Sequence, residues 1–231
     1  MRAVEKTDVA RTPRIVIPDL AHHVTQRGVR RQDVFFSEDD MSFYLRLLSK
    51  HSSRVGVEII GFCLMDNHVH HLVVPPNEKS LSKVFRIVHQ RYAQETNRKY
   101  GWTGHLWQER FYSSPVEDVS IPLVLRYIEN NPVVAEMVRH ASDYPWSSAA
   151  AHCGLRESNF LTYKERLIKL LPDSEAYPEF LNEAPEELEI RRLKKCTERD
   201  LPFGSARFID DLERKMGRKL RPLARGRPKV Q

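Results

Sequence analysis

The stretch Leu64-Met65-Asp66-Asn67-His68-Val69-His70-His71-Leu72-Val73-Val74 decides how this chain is read. Residues 68–74 are rich in β-branched and apolar side chains and stop at Pro75-Pro76, as a strand does. Successive strand side chains point to opposite faces, so His68 and His70 share one face while Val69 and His71 take the other. Two imidazoles held at that spacing by a backbone ladder can grip one divalent cation. The same pattern also describes two half-buried strand histidines, so the motif acquires meaning only from its surroundings.

Upstream, residues 57–64 form an apolar second strand, and Met65-Asp66-Asn67 is turn material, which makes an antiparallel hairpin. Before that, residues 20–27 read as a first strand ended by Gly28. Ser37, with Asp40 three residues on, starts a helix whose stripe is Phe43, Leu47 and Leu48. Downstream, a long helix runs from Ser80 to about Tyr100, with Val84, Ile87, Val88 and Tyr92 inward and Lys83, Arg86, Arg91, Arg98 and Lys99 on a basic face. Residues 106–116 read as a fourth strand, and a third helix follows from Ser120 to Asn131. The order βαββαβ plus a helix predicts an α+β, ferredoxin-like antiparallel sheet with helices on one face. A C-terminal helical and basic extension is expected beyond it.

The 231 residues are 41% hydrophobic and 29% charged, values that suit one substantial core rather than a disordered chain. No apolar run is long enough to span a bilayer, and residues 1–14 have no apolar leader segment, so a cytoplasmic protein is expected. Cys63, Cys153 and Cys196 are scattered without metal-type spacing, which fits a reducing compartment. The net charge of +6 is uneven: residues 191–231 hold fourteen Lys and Arg against five Asp and Glu, whereas residues 174–190 hold six glutamates and no basic residue. So sharp a break predicts a core followed by a basic segment whose commonest partner is nucleic acid. The expected division is a folded core over 13–150, which the resemblance given below implies to be the catalytic domain, and 151–231 as a helical linker and basic, DNA-binding extension.

The third helix carries Tyr127-Ile128-Glu129-Asn130-Asn131-Pro132. Tyr127 and Asn131, four apart, fall on one helical face. Pro132 disfavours helical geometry in the residue before it, so Asn131 is expected at the helix C-terminus with its amide turned outward. A Tyr so placed is a candidate nucleophile and the Asn a neutral oxygen ligand; a core-facing Tyr with an ordinary Asn cap is the plainer alternative.

Together these pieces resemble the single-tyrosine transposases of the HUH endonuclease superfamily, nearest to the REP-associated tyrosine transposases. The resemblance extends over His23-Val24-Thr25-Gln26-Arg27-Gly28, Met65-Asp66-Asn67-His68-Val69-His70, Gly104-His105-Leu106-Trp107-Gln108-Glu109-Arg110-Phe111-Tyr112 and Tyr144-Pro145-Trp146-Ser147-Ser148. It reaches the basic end through Pro202-Phe203-Gly204-Ser205 and Gly226-Arg227-Pro228-Lys229. Asp66 stands where the family usually has proline, and His71 where it has an apolar residue; neither change removes a catalytic group.

The resemblance implies a metal-dependent DNA strand transferase acting on single-stranded repeat palindromes folded as hairpins. Tyr127 would be the nucleophile forming a 5′-phosphotyrosine link, and His68, His70 and Asn131 would bind Mg²⁺ or Mn²⁺. Tyr112 is the rival nucleophile, though its aromatic block suits packing or base stacking. Arg27, Arg30, Arg31 and Arg110 in the core, with Arg218, Arg227 and Lys229 near the end, would contact DNA. A non-catalytic DNA-binding regulator on the same scaffold is the alternative, and monomer and homodimer remain equally open. The expected location is the cytoplasm, in association with the nucleoid.

Overall fold

In the computed structural model, residues 14–162, 167, 169–184 and 186–221 are described. Strand β1 (Ala21–Arg27) leads through a short turn to helix α1 (Glu38–Val55). The hairpin β2 (Glu58–Met65) and β3 (His68–Val74) follows, then α2 (Ser80–Tyr100) and β4 (Tyr112–Val116). Helix α3 (Ile121–Glu129) and the single turn α4 (Asn131–Val134) come next. The rest of the described chain carries α5 (Ala149–His152), α6 (Tyr177–Asn182), α7 (Glu187–Glu198) and α8 (Ala206–Met216). The four strands make one antiparallel sheet in the order β2-β3-β1-β4, the ferredoxin-like arrangement.

Helix α1 starts where the sequence places it. Ser37 accepts a hydrogen bond from the Asp40 amide at 3.3 Å, and the Asp40 carboxylate accepts from the Phe36 amide at 3.0 Å. The inward face of α2 carries Val84, Phe85, Val88 and Tyr92, with Ile87 only half-buried. Helices α1 and α2 close one face of the sheet over Val24, Phe62, Leu64, Val69 and Val73. The opposite face is not open. Helix α3 covers it with Ile121, Val124, Leu125 and Ile128 against Ala21, Ile60, Leu72, Val74 and Val116.

Two expectations about element boundaries need correction. The fourth strand is only Tyr112–Val116. Residues 104–111 instead wrap over α2: the Trp107 indole donates to the His89 carbonyl at 3.1 Å, and Phe111 packs on Phe85. An aromatic run offers the same composition whether it extends in a ladder or packs as a loop, which is why the sequence overextends the strand. The helix bearing Tyr127 ends at Glu129 rather than at Asn131, with Asn130 as its cap. Pro132 has no N–H to give to the Ile128 carbonyl, so the α-helical ladder cannot continue. The Asn131 side-chain amide takes over, donating to the carbonyls of Tyr127 at 2.7 Å and Ile128 at 3.2 Å.

A register shift between Ile59 and Gly61 puts Ile60 and Gly61 both toward α3. A side chain on Gly61 would meet Leu125 Cδ2 at 2.3 Å, so the helix rests directly on backbone there. Beside it, the buried Glu129 carboxylate accepts from Ser148 Oγ at 2.5 Å, His152 Nδ1 at 2.6 Å and Tyr177 Oη at 2.9 Å. These bonds tie α3 to α5 and α6, and a buried carboxylate without them would be strongly destabilising.

The C-terminal segment returns to the sheet. The Phe203 amide donates to the Pro115 carbonyl at 2.8 Å, Ser114 Oγ to the Leu201 carbonyl at 2.6 Å, and the Ser113 amide to Asp200 at 2.8 Å. The free edge of β4 is thereby covered, which removes a template for unwanted strand pairing. Helix α8 packs Leu212 against Ile15 and Ile17.

Because Gly61 sets the distance between α3 and the sheet, Gly61→Ala should lower stability by about 1–3 kcal/mol, the usual cost of overpacking. Urea unfolding checks this; a midpoint equal to that of the native protein would show that α3 can ride outward without cost.

Candidate active site

Strand β3 delivers His68 and His70 to the face covered by α3, while His71 faces α1 and α2, where Tyr44 Oη lies 3.0 Å from its Nε2. The period-two reading of the motif therefore holds, and His71 belongs to the core. A cavity of about 570 Å³ opens on the α3 side. Its wall includes His68, His70, Tyr127, Asn131, Arg27 and Arg31. The Tyr127 ring stands edge-on to His70 with centroids 5.5 Å apart, and His68 and His70 are 5.0 Å apart by the same measure. Side chains from β1, β3 and α3, together with Asn131 at the start of α4, thus converge on one space.

The hydrogen bonds around His68 specify its chemistry. Asn67 uses its Nδ2 to donate to the Arg31 carbonyl at 3.2 Å, which leaves Oδ1 as the atom 2.6 Å from His68 Nδ1. An amide oxygen only accepts, so Nδ1 carries the proton and Nε2 the lone pair. In Asn131 the Nδ2 group is spent on helix carbonyls, and its carbonyl oxygen remains as the donor atom for a cation. Burial lowers the pKa of His68 to about 4, with Arg27 and Lys194 adding to the effect, and burial sends His70 well below its ordinary range. Neutral imidazoles with an available lone pair and a neutral amide oxygen are what a divalent cation requires of its ligands. Among the described residues no group of three His, Cys, Asp or Glu side chains is placed to hold a metal ion; the donors this cavity could offer one are two imidazoles and an amide oxygen.

Tyr127 is mostly buried, and burial raises its pKa to about 12; Arg27 and hydrogen bonding to Asn131 oppose the rise. Positive charge beside the phenol is therefore needed to obtain phenolate near neutrality. Lys194 of α7 stands 5.5 Å over the Tyr127 ring.

The remaining sequence-derived positions separate. Arg27 and Arg31 line this cavity, Arg31 from a backbone with φ 64°. Arg30 is exposed in the same turn, also at positive φ. Arg110 lies elsewhere: it pairs with Asp200 at 2.9 Å and lines a different cavity with Arg14, Phe85, His89 and Phe111. That second cavity occupies the α2 side of the sheet, so Arg110 and the Tyr127 site do not meet. Arg218 lies just past α8 beside Asp210 and Glu213. Arg227 and Lys229 lie outside the described residues. Tyr112 does line the Tyr127 cavity.

Several residues of the cavity escaped sequence reasoning. His23 on β1 places Nε2 2.9 Å from His70 Nδ1, and its own Nδ1 is 2.9 Å from Thr197 Oγ1. Lys194, Thr197 and Glu198 project from one face of α7 into the cavity. The i, i+3, i+4 spacing of those three residues could have flagged a shared face, but nothing local ties that face to β3.

The α+β fold with its antiparallel sheet of order β2-β3-β1-β4 is shared with a solved transposase structure. The family model described as Transposase IS200 like matches residues 17–131, a span that holds all four strands and Tyr127. The chain belongs to the IS200-like transposase family. Among solved structures, one described as a REP-associated tyrosine transposase bound to a REP hairpin aligns with a TM-score of 0.53 and 16% identity, covering 68% of this chain and 99% of that one. A putative transposase from Deinococcus radiodurans R1 aligns at 19% identity with a TM-score of 0.36, covering 52% of this chain and 96% of that one. No curated protein sequence matches. Among the described residues no helix is long and apolar enough to cross a membrane.

Buried histidines make the fold sensitive to acid. Burial depresses His22 and His68 to about 4, and His23 and His89 to about 3, from an ordinary 6.5. The unfolded chain binds these protons near the ordinary value of 6.5 while the folded chain refuses them until pH 3–4, so stability is full above about 6.5 and is lost as pH falls from there toward the folded values. Urea midpoints should decline steadily between about pH 7 and pH 5. A flat profile over that range would mean that these side chains are not buried in neutral form.

Proposed function

We propose that this protein is a metal-dependent single-stranded DNA endonuclease and strand transferase that recognises repeat palindrome hairpins. The observation that carries the reading is the meeting of Tyr127, Asn131, His68 and His70 around one cavity with arginines at its wall. The coarse function agrees with membership of the transposase family, and the neighbour bound to a REP hairpin supports a hairpin substrate. A cytoplasmic, nucleoid-associated location accompanies this reading. Residues 13–150 are proposed as the catalytic domain and 151–231 as the extension that supports it and contacts DNA.

His68, His70 and Asn131 would hold one Mg²⁺ or Mn²⁺. Bound there, such an ion supplies positive charge that polarises the scissile phosphate and favours the phenolate. Tyr127 attacks phosphorus through its phenolic oxygen. A Tyr O–P bond forms, the P–O3′ bond breaks, and the 3′ oxygen leaves to take up a proton as a free 3′-OH. The 5′-phosphotyrosine link keeps the energy of the broken phosphodiester, so a 3′-OH can reverse the step without a nucleotide cofactor. Arg27 and Arg31 neutralise backbone phosphate next to the cut, and the position of Lys194 over Tyr127 adds a third cation. Tyr112 lines the same cavity, but it is the Tyr127 ring that stands edge-on to His70 with centroids 5.5 Å apart, which favours Tyr127 as nucleophile.

Tyr127→Phe keeps the ring and removes one hydroxyl. Incubated with a single-stranded repeat hairpin and Mn²⁺, the native protein should give a denaturation-resistant covalent adduct, and Tyr127→Phe none while still binding the hairpin. His68→Ala and His70→Ala should likewise abolish the adduct, as should EDTA. An adduct that survives Tyr127→Phe and disappears in Tyr112→Phe would transfer the nucleophile to Tyr112.

Residues 222–231 contribute Arg225, Arg227 and Lys229 without an acidic residue. Each phosphate contact adds about −0.7 to the slope of log affinity against log salt for single strands and about −0.9 for duplex. Ending the chain after Arg221 should weaken hairpin binding and flatten that slope while sparing adduct formation at saturating DNA. An unchanged slope would show that these three residues do not touch the backbone.

A further inference from the structure

Taking the metal reading above as its starting point, we infer that Thr197 and His23 form a hydrogen-bond relay that sets the tautomer of His70, so that α7 acts as a positioning element for the cation site. His70 lacks the amide partner that fixes His68. Its Nδ1 faces another imidazole, His23 Nε2, at 2.9 Å. The two rings are within 9° of coplanar with centroids 5.1 Å apart, so the rings meet edge to edge along a linear N–H···N bond rather than face to face. Either imidazole can donate in such a pair, and the choice decides what His70 offers the cavity. With the proton on His70 Nδ1, Nε2 is a lone pair able to bind a cation. With the proton on His23 Nε2, His70 must carry its own on Nε2 and cannot bind.

Thr197 breaks the tie. Its hydroxyl donates to the Leu193 carbonyl at 3.0 Å, one turn back along α7, which uses its only proton. The oxygen can then only accept from His23 Nδ1, 2.9 Å away. Nδ1 of His23 is therefore protonated, Nε2 of His23 is an acceptor, and His70 donates to it. This arrangement makes three hydrogen bonds. The reverse arrangement makes two, because the Thr197 proton must leave the Leu193 carbonyl to reach His23. All four groups are buried, so no water competes for these atoms. A histidine that ligates a metal through Nε2 ordinarily needs its Nδ1–H held by an acceptor. Here the acceptor is an imidazole whose own state is dictated from position 197, on a helix far along the chain.

The relay also explains two otherwise idle features. His23 is buried with both ring nitrogens already hydrogen-bonded, which leaves neither for an acid or base role, yet it lines the cavity. Thr197 is buried on a helix whose other residues are mostly exposed.

Long-range ¹H–¹⁵N NMR of the metal-free, full-length protein reads imidazole tautomers directly. The native protein should show His70 protonated at Nδ1 with a bare Nε2. In Thr197→Val the hydroxyl is lost at nearly constant shape; His23 Nδ1 then has no acceptor, and the proton should move to His23 Nε2, forcing His70 to the Nε2–H form. Mn²⁺ affinity, measured by calorimetry without DNA, should fall by about tenfold or more. Thr197→Ser restores the hydroxyl and should restore both signals. A native His70 protonated at Nε2, or a Thr197→Val protein with unchanged His70 signals, would overturn the relay. Native protein that binds no Mn²⁺ while its His70 tautomer still responds to Thr197→Val would overturn the metal reading and leave the relay standing.

Discussion

The position of β3 between β2 and β1 is the constraint on which the site depends. A central strand has both edges paired and both faces covered, so every side chain on it must find its partners inside the protein. Three of its seven residues are histidines, and each has a different solution. His71 meets Tyr44, which also reaches His89 at 3.1 Å, within the core formed by α1 and α2. His68 and His70 are held through their Nδ1 atoms by Asn67 and His23. The rigid ladder supplies spacing, and the buried partners supply orientation. A loop could offer the same two imidazoles but not their fixed separation.

The tyrosine reaches those histidines because α3 rests on the sheet directly over the Gly61 backbone. Gly61 makes the approach possible, and the Glu129 network holds the helix down from its other side. Pro132 then breaks the helical ladder within a turn or so of Tyr127, and Asn131 repairs the break with its own amide. The residue that bonds the last helix carbonyls is thereby also a residue of the cavity wall. Backbone satisfaction and site construction use the same side chain, which makes Asn131 hard to replace by any residue without both an amide donor and an oxygen.

Charge in the C-terminal part is less uniform in space than along the sequence. Helix α7 begins the basic stretch, yet its contribution to the cavity includes Thr197 and Glu198 as well as Lys194. Two arginines of this part of the chain are tied up in pairs: Arg192 with Glu189 at 3.1 Å, and Arg221 with Asp210 and Glu213 at 2.7 Å. Counting Lys and Arg thus overstates the positive surface available to a polyanion, because paired guanidiniums at partly covered positions are already engaged.

Local sequence determined a great deal of this protein. The alternation His68-Val69-His70-His71 sets which imidazoles share a face, since a strand's period is a property of its backbone alone. The i, i+4 relation of Tyr127 and Asn131, the hairpin turn at Asp66-Asn67 and the βαββαβ order are legible for the same reason. Tertiary structure decided the rest. Arg110 lines the cavity on the α2 side of the sheet and pairs with Asp200, apart from Arg27 and Arg31, a separation that position along the chain does not reveal. The aromatic run before Tyr112 packs as a loop because α2 offers it a surface. The pairing of His23 with Thr197 spans 174 positions, and no periodicity or composition connects residues so far apart. Such a contact exists only once the extension has folded back over β1, where burial leaves each hydrogen-bonding atom a single available partner.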